Sequence, residues 1–165
     1  MTYAAAIGVC KKAGRWKVAL QLVHEMREFG IGANEVAFAN AIHACSVAGR
    51  CAEALALLSL MDGRESPPPN VVCYNAALGA CRGQGVDSLL SVWAQMVAAP
   101  GVVPDARSYR TAILVLSEQG YHQEVLALGQ DMALGSIAAD EACRAALLRA
   151  RAYLGDANAA FGWGK

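Results

Sequence analysis

Four aromatic residues, Tyr3, Phe38, Tyr74 and Tyr109, recur at steps of 35, 36 and 35 residues. A glycine stands eleven residues after each, at Gly14, Gly49, Gly85 and Gly120, and Gly155 continues the series. Met26, Met61, Met96 and Met132 keep the same period. Three independent marks in one register outrank every other feature of the chain. A fixed period of this length signals stacked supersecondary units, none of which can bury its apolar face alone.

The unit itself is legible in residues 1–34. Tyr3 to Cys10 is apolar or small, and Lys11-Lys12-Ala13-Gly14 closes it with the residue that most readily ends a helix in a left-handed conformation. Trp16, Ala19, Leu20, Val23 and Met26 then recur at helical spacing. Each unit is therefore a helix A, a tight turn, a helix B and a loop. The later A helices are expected at about Phe38–Ser46, Tyr74–Arg82, Tyr109–Glu118 and Ala142–Tyr153. The B helices are expected at about Cys51–Met61, Asp87–Val97 and His122–Met132. Pro67-Pro68-Pro69 forbids helix in the loop before the third unit. The predicted fold class is all-α, an α-solenoid of helix-turn-helix repeats. Its divisions are 1–34, 35–70, 71–105, 106–140 and a partial, degenerate fifth repeat at 141–165, in one continuous repeat domain. Residues near Gly162-Trp163-Gly164 are expected to fall within a second helix of the fifth unit. A chain that opens inside a repeat and stops half-way through one reads as part of a larger protein.

Composition narrows the partners. Only 17% of the 165 residues are charged and the net charge is zero, against roughly 25% charged in ordinary domains. The longest charge-free run, 88–104, is broken by Pro100-Gly101 and carries Gln95, so no membrane span is predicted. No signal peptide is visible. Of the six cysteines, Cys10, Cys45 and Cys81 share one repeat position. They read as small apolar packing residues of a reducing compartment rather than bridges. No C-x-x-C pair supports a metal site. His24, His43 and His122 occupy unrelated positions, and the terminal "GWGK" lacks the glycine spacing and the Ser or Thr of a phosphate loop. No catalytic residues, metal or cofactor are expected. Trp16, Trp93 and Trp163 read as helix packing.

At this point the residues resemble a family. "TY" or "SY" opening helix A, "AGR" between helices, "ALQLVHEM" and "ALALLSLM" in helix B, and "VPD" or "PPN" before the next unit are similar to pentatricopeptide repeats. Tetratricopeptide repeats differ in period and carry a Trp-Leu-Gly-Tyr pattern that is absent here. The resemblance implies a right-handed superhelix that binds single-stranded RNA one base per repeat, usually in a chloroplast or mitochondrion. It implies base-selecting pairs Ala4 with Asn34, Ala39 with Asn70, Asn75 with Asp105, and Arg110 with Asp140. It implies base-packing residues Met1, Val36, Val72 and Arg107. Lys11, Lys12 and Arg82, at the ends of A helices, are the candidate phosphate contacts.

The pairs differ in quality. Asn75 carries donor and acceptor on one amide, and with Asp105 it matches a well-formed pair of the family, which implies uridine at the third repeat. Ala4 and Ala39 cannot hydrogen-bond. Arg110 is not a usual selecting residue, Arg107 replaces an aliphatic packer, and Arg144 stands where the fifth aromatic should be. Asn34, Asn70, Asp105 and Asp140 also suit ordinary helix capping. RNA binding rests on cations facing phosphates, and zero net charge leaves few. The alternative function is a non-catalytic protein-docking scaffold, using the concave face or the uncapped C-terminal end.

Overall fold

The computed structural model describes the backbone of residues 3–160 and the side chains as far as Gly155. Nine helices and no strand lie among the described residues: α1 (Tyr3–Ala13), α2 (Trp16–Glu28), α3 (Glu35–Val47), α4 (Cys51–Leu60), α5 (Val71–Ala80), α6 (Val86–Ala98), α7 (Ala106–Glu118), α8 (His122–Leu134) and α9 (Glu141–Ala160). The fold class is an all-α helical-repeat solenoid. The chain forms two compact units, the first ending at Val103 and the second beginning at Pro104. No described helix is long and apolar enough to cross a membrane.

In the first unit α1 packs on α3 and α3 on α5, while α2 and α4 each close against the A helix of the following repeat. Phe38, Ala41, Ile42, Ala44 and Cys45 of α3 are fully buried, because this helix is covered on both sides. At Gly79 of α5 an added Cβ would stand 2.7 Å from Ser46 Oγ of α3, which shows how closely the two backbones approach. In the second unit α7, α8 and α9 pack on one another around Ile113, Leu116, Val125 and Met132. All four periodic methionines are buried, and Phe38, Tyr74 and Tyr109 each sit at the fourth residue of their helix.

The turn between helices A and B repeats in detail in three units. Gly14, Gly49 and Gly120 have φ of +60°, +63° and +81°. The amides of Arg15, Arg50 and Tyr121 donate back to the carbonyls of Cys10, Cys45 and Leu116 at 3.0, 2.9 and 3.0 Å. This six-residue closure satisfies carbonyls the helix end leaves unpaired. The third unit departs from it. Gly85, the in-phase residue, has φ −61° and serves as the cap of α6. Gly83 takes the left-handed role at φ +77°.

Three other expectations are corrected. Each of α3, α5 and α7 begins three residues before its aromatic, since Asn34, Asn70 and Asp105 cap the helix ahead of it. Cys51 and Cys81 form a disulfide. They meet because α4 starts where α5 ends, whereas Cys10, Cys45, Cys73 and Cys143 are free, buried packing residues as expected. Trp16 is only half-buried, and the Arg50 guanidinium covers its ring at 4.4 Å, itself bonded to Glu53 at 2.6 Å. Met1 and the terminal segment around Trp163 lie outside the described residues.

Candidate functional site

The residue before each later A helix does a defined structural job. Asn34 Oδ1 accepts from the Ala37 amide at 2.9 Å. Asn70 Oδ1 accepts from the amides of Val72 and Cys73, both at 3.1 Å. Asp105 accepts from Ser108 N–H at 2.9 Å, and Ser108 Oγ accepts from the Asp105 amide at 3.0 Å, a reciprocal capping box. Asp140 Oδ1 accepts from the Cys143 amide at 2.8 Å. Side chains of this kind satisfy first-turn amides that have no partner within the helix. Capping thus fixes where these four groups stand and consumes one oxygen of each.

What each group has left differs. Asn70 donates from its amide nitrogen to Glu35 Oε2 at 3.1 Å. Asp140 presents its second oxygen to Arg110 Nε at 2.8 Å. Its carboxyl lies below the ordinary carboxylate range, held there first by the Cys143 hydrogen bonds and then by the Arg110 and Arg144 charges. Arg144, in the place of the missing aromatic, donates to the Ala139 carbonyl at 2.8 Å.

The base-packing candidates split by unit. Val36 and Val72 occupy the second position of α3 and α5, and they remain 58% and 56% exposed. These are branched apolar side chains held open at equivalent points of neighbouring repeats. Arg107 is exposed on the first turn of α7. Ala4 and Ala39 are half-buried. Asn75, five residues into α5, is only 7% exposed, so its amide is part of the interior rather than an open face. Asn75 belongs to the first unit and Asp105 to the second.

The three cationic candidates stand as the sequence suggests. Lys11 and Lys12 lie in the last turn of α1, and Arg82 is exposed just past α5. Cations at a helix C-terminus are stabilised by the helix dipole, so their placement has a local cause. Among the described residues no group of three or more His, Cys, Asp or Glu could hold a metal ion. Sequence reasoning missed two features. The Arg50 guanidinium over Trp16 links two repeats, and Glu35 engages Asn70 across one period. The second could have been found, since Glu35 and Asn70 stand 35 residues apart at the starts of successive A helices.

Comparison with known proteins agrees with this picture. A model described as a pentatricopeptide repeat domain matches residues 21–84, and one described as a PPR repeat matches residues 1–31. The crystal structure of the PPR domain of Arabidopsis thaliana protein-only RNase P 1 in complex with tRNA is similar, with TM-score 0.78 and 20% identity. The match covers 93% of this chain and 81% of that one. PPR10 from maize matches with TM-score 0.67 and 26% identity over 98% of this chain, and PPR10 in complex with an 18-nt psaJ RNA element with TM-score 0.72 and 19% identity over 90%. The chain spans less than a quarter of either PPR10 chain, 23% and 22%. No curated protein sequence matches it.

Proposed function

The chain belongs to the pentatricopeptide repeat family, and from that premise we propose that it binds single-stranded RNA without catalysis, as one module of an organellar RNA-processing, stability or translation factor. Similar folds of the family are seen holding tRNA and a psaJ RNA element. The observation that carries the reading is the pair of exposed valines, Val36 and Val72, each two residues after a capping asparagine. A base packed against them would cover apolar surface, and Asn70 stands two residues before Val72 as the cap of α5. Reading unstacked bases in this way is how single strands are recognised by helical repeats. The repeat divisions 1–34, 35–70, 71–105 and 106–140 are the proposed one-base modules.

A protein-docking scaffold is the second reading. Exposed Leu134, Leu148 and Tyr153 of the second unit, together with zero net charge, favour it. Titration of the chain with a short uridine- and guanosine-containing single strand, by fluorescence anisotropy across a salt series, separates the two. RNA binding gives a log-affinity that falls linearly with log salt. Absence of binding to any single strand at low salt overturns the RNA reading and leaves the docking one.

A further inference from the structure

In the second unit a recess of about 380 Å³ is lined by Arg107 and Arg110 of α7, Met132 of α8, and Asp140 and Cys143 at the start of α9. Its apolar floor is Met132 and Cys143, both buried. Its polar wall is one ion pair. Arg110 Nε donates to Asp140 Oδ2 at 2.8 Å, and Asp140 Oδ1 is bonded to the Cys143 amide at 2.8 Å. The carboxylate is therefore fixed on both oxygens, and it fixes Arg110 through Nε. That geometry leaves Nη1 and Nη2, a rigid planar fork of donors, on a side chain that keeps 55% of its surface exposed. A carboxylate pointing the other way would have neutralised the fork. Here it aims it.

A fork of two donors selects an edge with two adjacent acceptors. Guanine offers this at O6 and N7. Adenine sets its N6 amine beside N7, so donor would face donor. Uracil places its single carbonyls on either side of a ring N–H. Cytosine has adjacent acceptors at N3 and O2, but a one-ring base fills less of the recess. Arg107 stands one turn before Arg110 on the same helix, where its guanidinium can stack on a purine face. We propose, resting on the RNA-binding reading above, that the fourth repeat selects guanine through its O6/N7 edge, with Arg110 as the reading residue and Asp140 as the residue that positions it.

The experiment uses the full chain and short uridine oligonucleotides carrying one guanosine, adenosine, cytidine or 7-deazaguanosine, titrated by anisotropy at one fixed salt concentration. Guanosine should bind about tenfold more tightly than adenosine or the all-uridine strand, the size expected of one bidentate pair. The 7-deaza analogue, which lacks N7 but keeps the Watson–Crick edge, should lose most of that gain. Arg110→Lys keeps the charge and removes the fork, so it should abolish the guanosine preference. Asp140→Asn keeps an oxygen for the Cys143 amide and should weaken the preference without removing it. Equal binding of all four strands, or a preference unaltered in Arg110→Lys or by 7-deazaguanosine, overturns the guanine assignment and leaves RNA binding standing. No binding by any strand overturns both.

Discussion

Asn70 bonds in two directions at once: its carbonyl oxygen caps α5 through Val72 and Cys73, and its amide nitrogen donates to Glu35, at the start of the preceding A helix, at 3.1 Å. One residue thereby ends a loop, starts a helix and ties that helix start to its counterpart one period earlier. Asn70→Ala should lower stability by about 1 kcal/mol, the usual cost of a lost cap. Glu35→Gln should cost well under that, because the contact is exposed. Urea unfolding of the two variants checks the order. A larger loss in Glu35→Gln would mean that the tie between repeats, not the cap, is the stabilising part.

The turn glycines make a signed prediction. Nothing lies within 4 Å of a Cβ built on Gly49 or Gly83, so any cost there is backbone strain alone. With φ of +63° and +77°, Gly49→Ala and Gly83→Ala should each destabilise by about 1–2 kcal/mol. Gly85→Ser should be neutral or stabilising, since Gly85 has φ −61° and caps α6, where serine is favoured. Ser136 runs the other way. It holds φ +56° at the end of α8 without being glycine, so Ser136→Gly should raise the melting temperature of the second unit. Comparable losses in Gly85→Ser and Gly83→Ala would contradict the turn geometry.

Cys51 and Cys81 close a loop across 30 residues. Such a loop is worth about 3–4 kcal/mol in the chain-entropy model. Protein unfolded without reductant should show four reactive thiols, and six after reduction. Cys81→Ala should melt lower than the oxidised chain and equal to the reduced one. Six thiols before reduction would show that Cys51 and Cys81 only pack.

The period made the helix pairs, the turns and the methionine core legible from sequence, because each is a local pattern repeated in phase. The helix starts were less so. Glu35-Val36 and Val71-Val72 carry β-branched residues that read as extended lead-in, and only the caps at Asn34 and Asn70 draw them into α3 and α5. In "CRGQG" two glycines compete for one left-handed position, and the out-of-phase Gly83 takes it. The Cys51–Cys81 bond and the Arg110–Asp140 pair join residues 30 apart in the chain, off the period. The disulfide joins the start of α4 to the end of α5 and the ion pair joins α7 to the cap of α9, contacts that hydrophobic periodicity does not report. The burial of Asn75 had none either, for an amide at that position suits an open or a closed face equally.

Lys11 and Lys12 are where the electrostatics of RNA binding can be counted. Both lie in the last turn of α1, so each has two roles to separate. As dipole partners they stabilise the helix by about 0.3–1 kcal/mol each. As phosphate partners each displaces a counterion from the strand, and each lowers the log–log salt slope by about 0.7 for a single strand. Lys11→Gln with Lys12→Gln should therefore reduce the steepness of that slope by about 1.4. The same pair should change thermal stability only slightly. Anisotropy titrations against one RNA over a salt series give the slope, and a melt of the same sample gives the stability. A slope that stays at the wild-type value while the melting temperature falls would assign the two lysines to the helix end alone. Phosphate contacts would then have to come from elsewhere on the surface, with Arg82 the next cation to substitute.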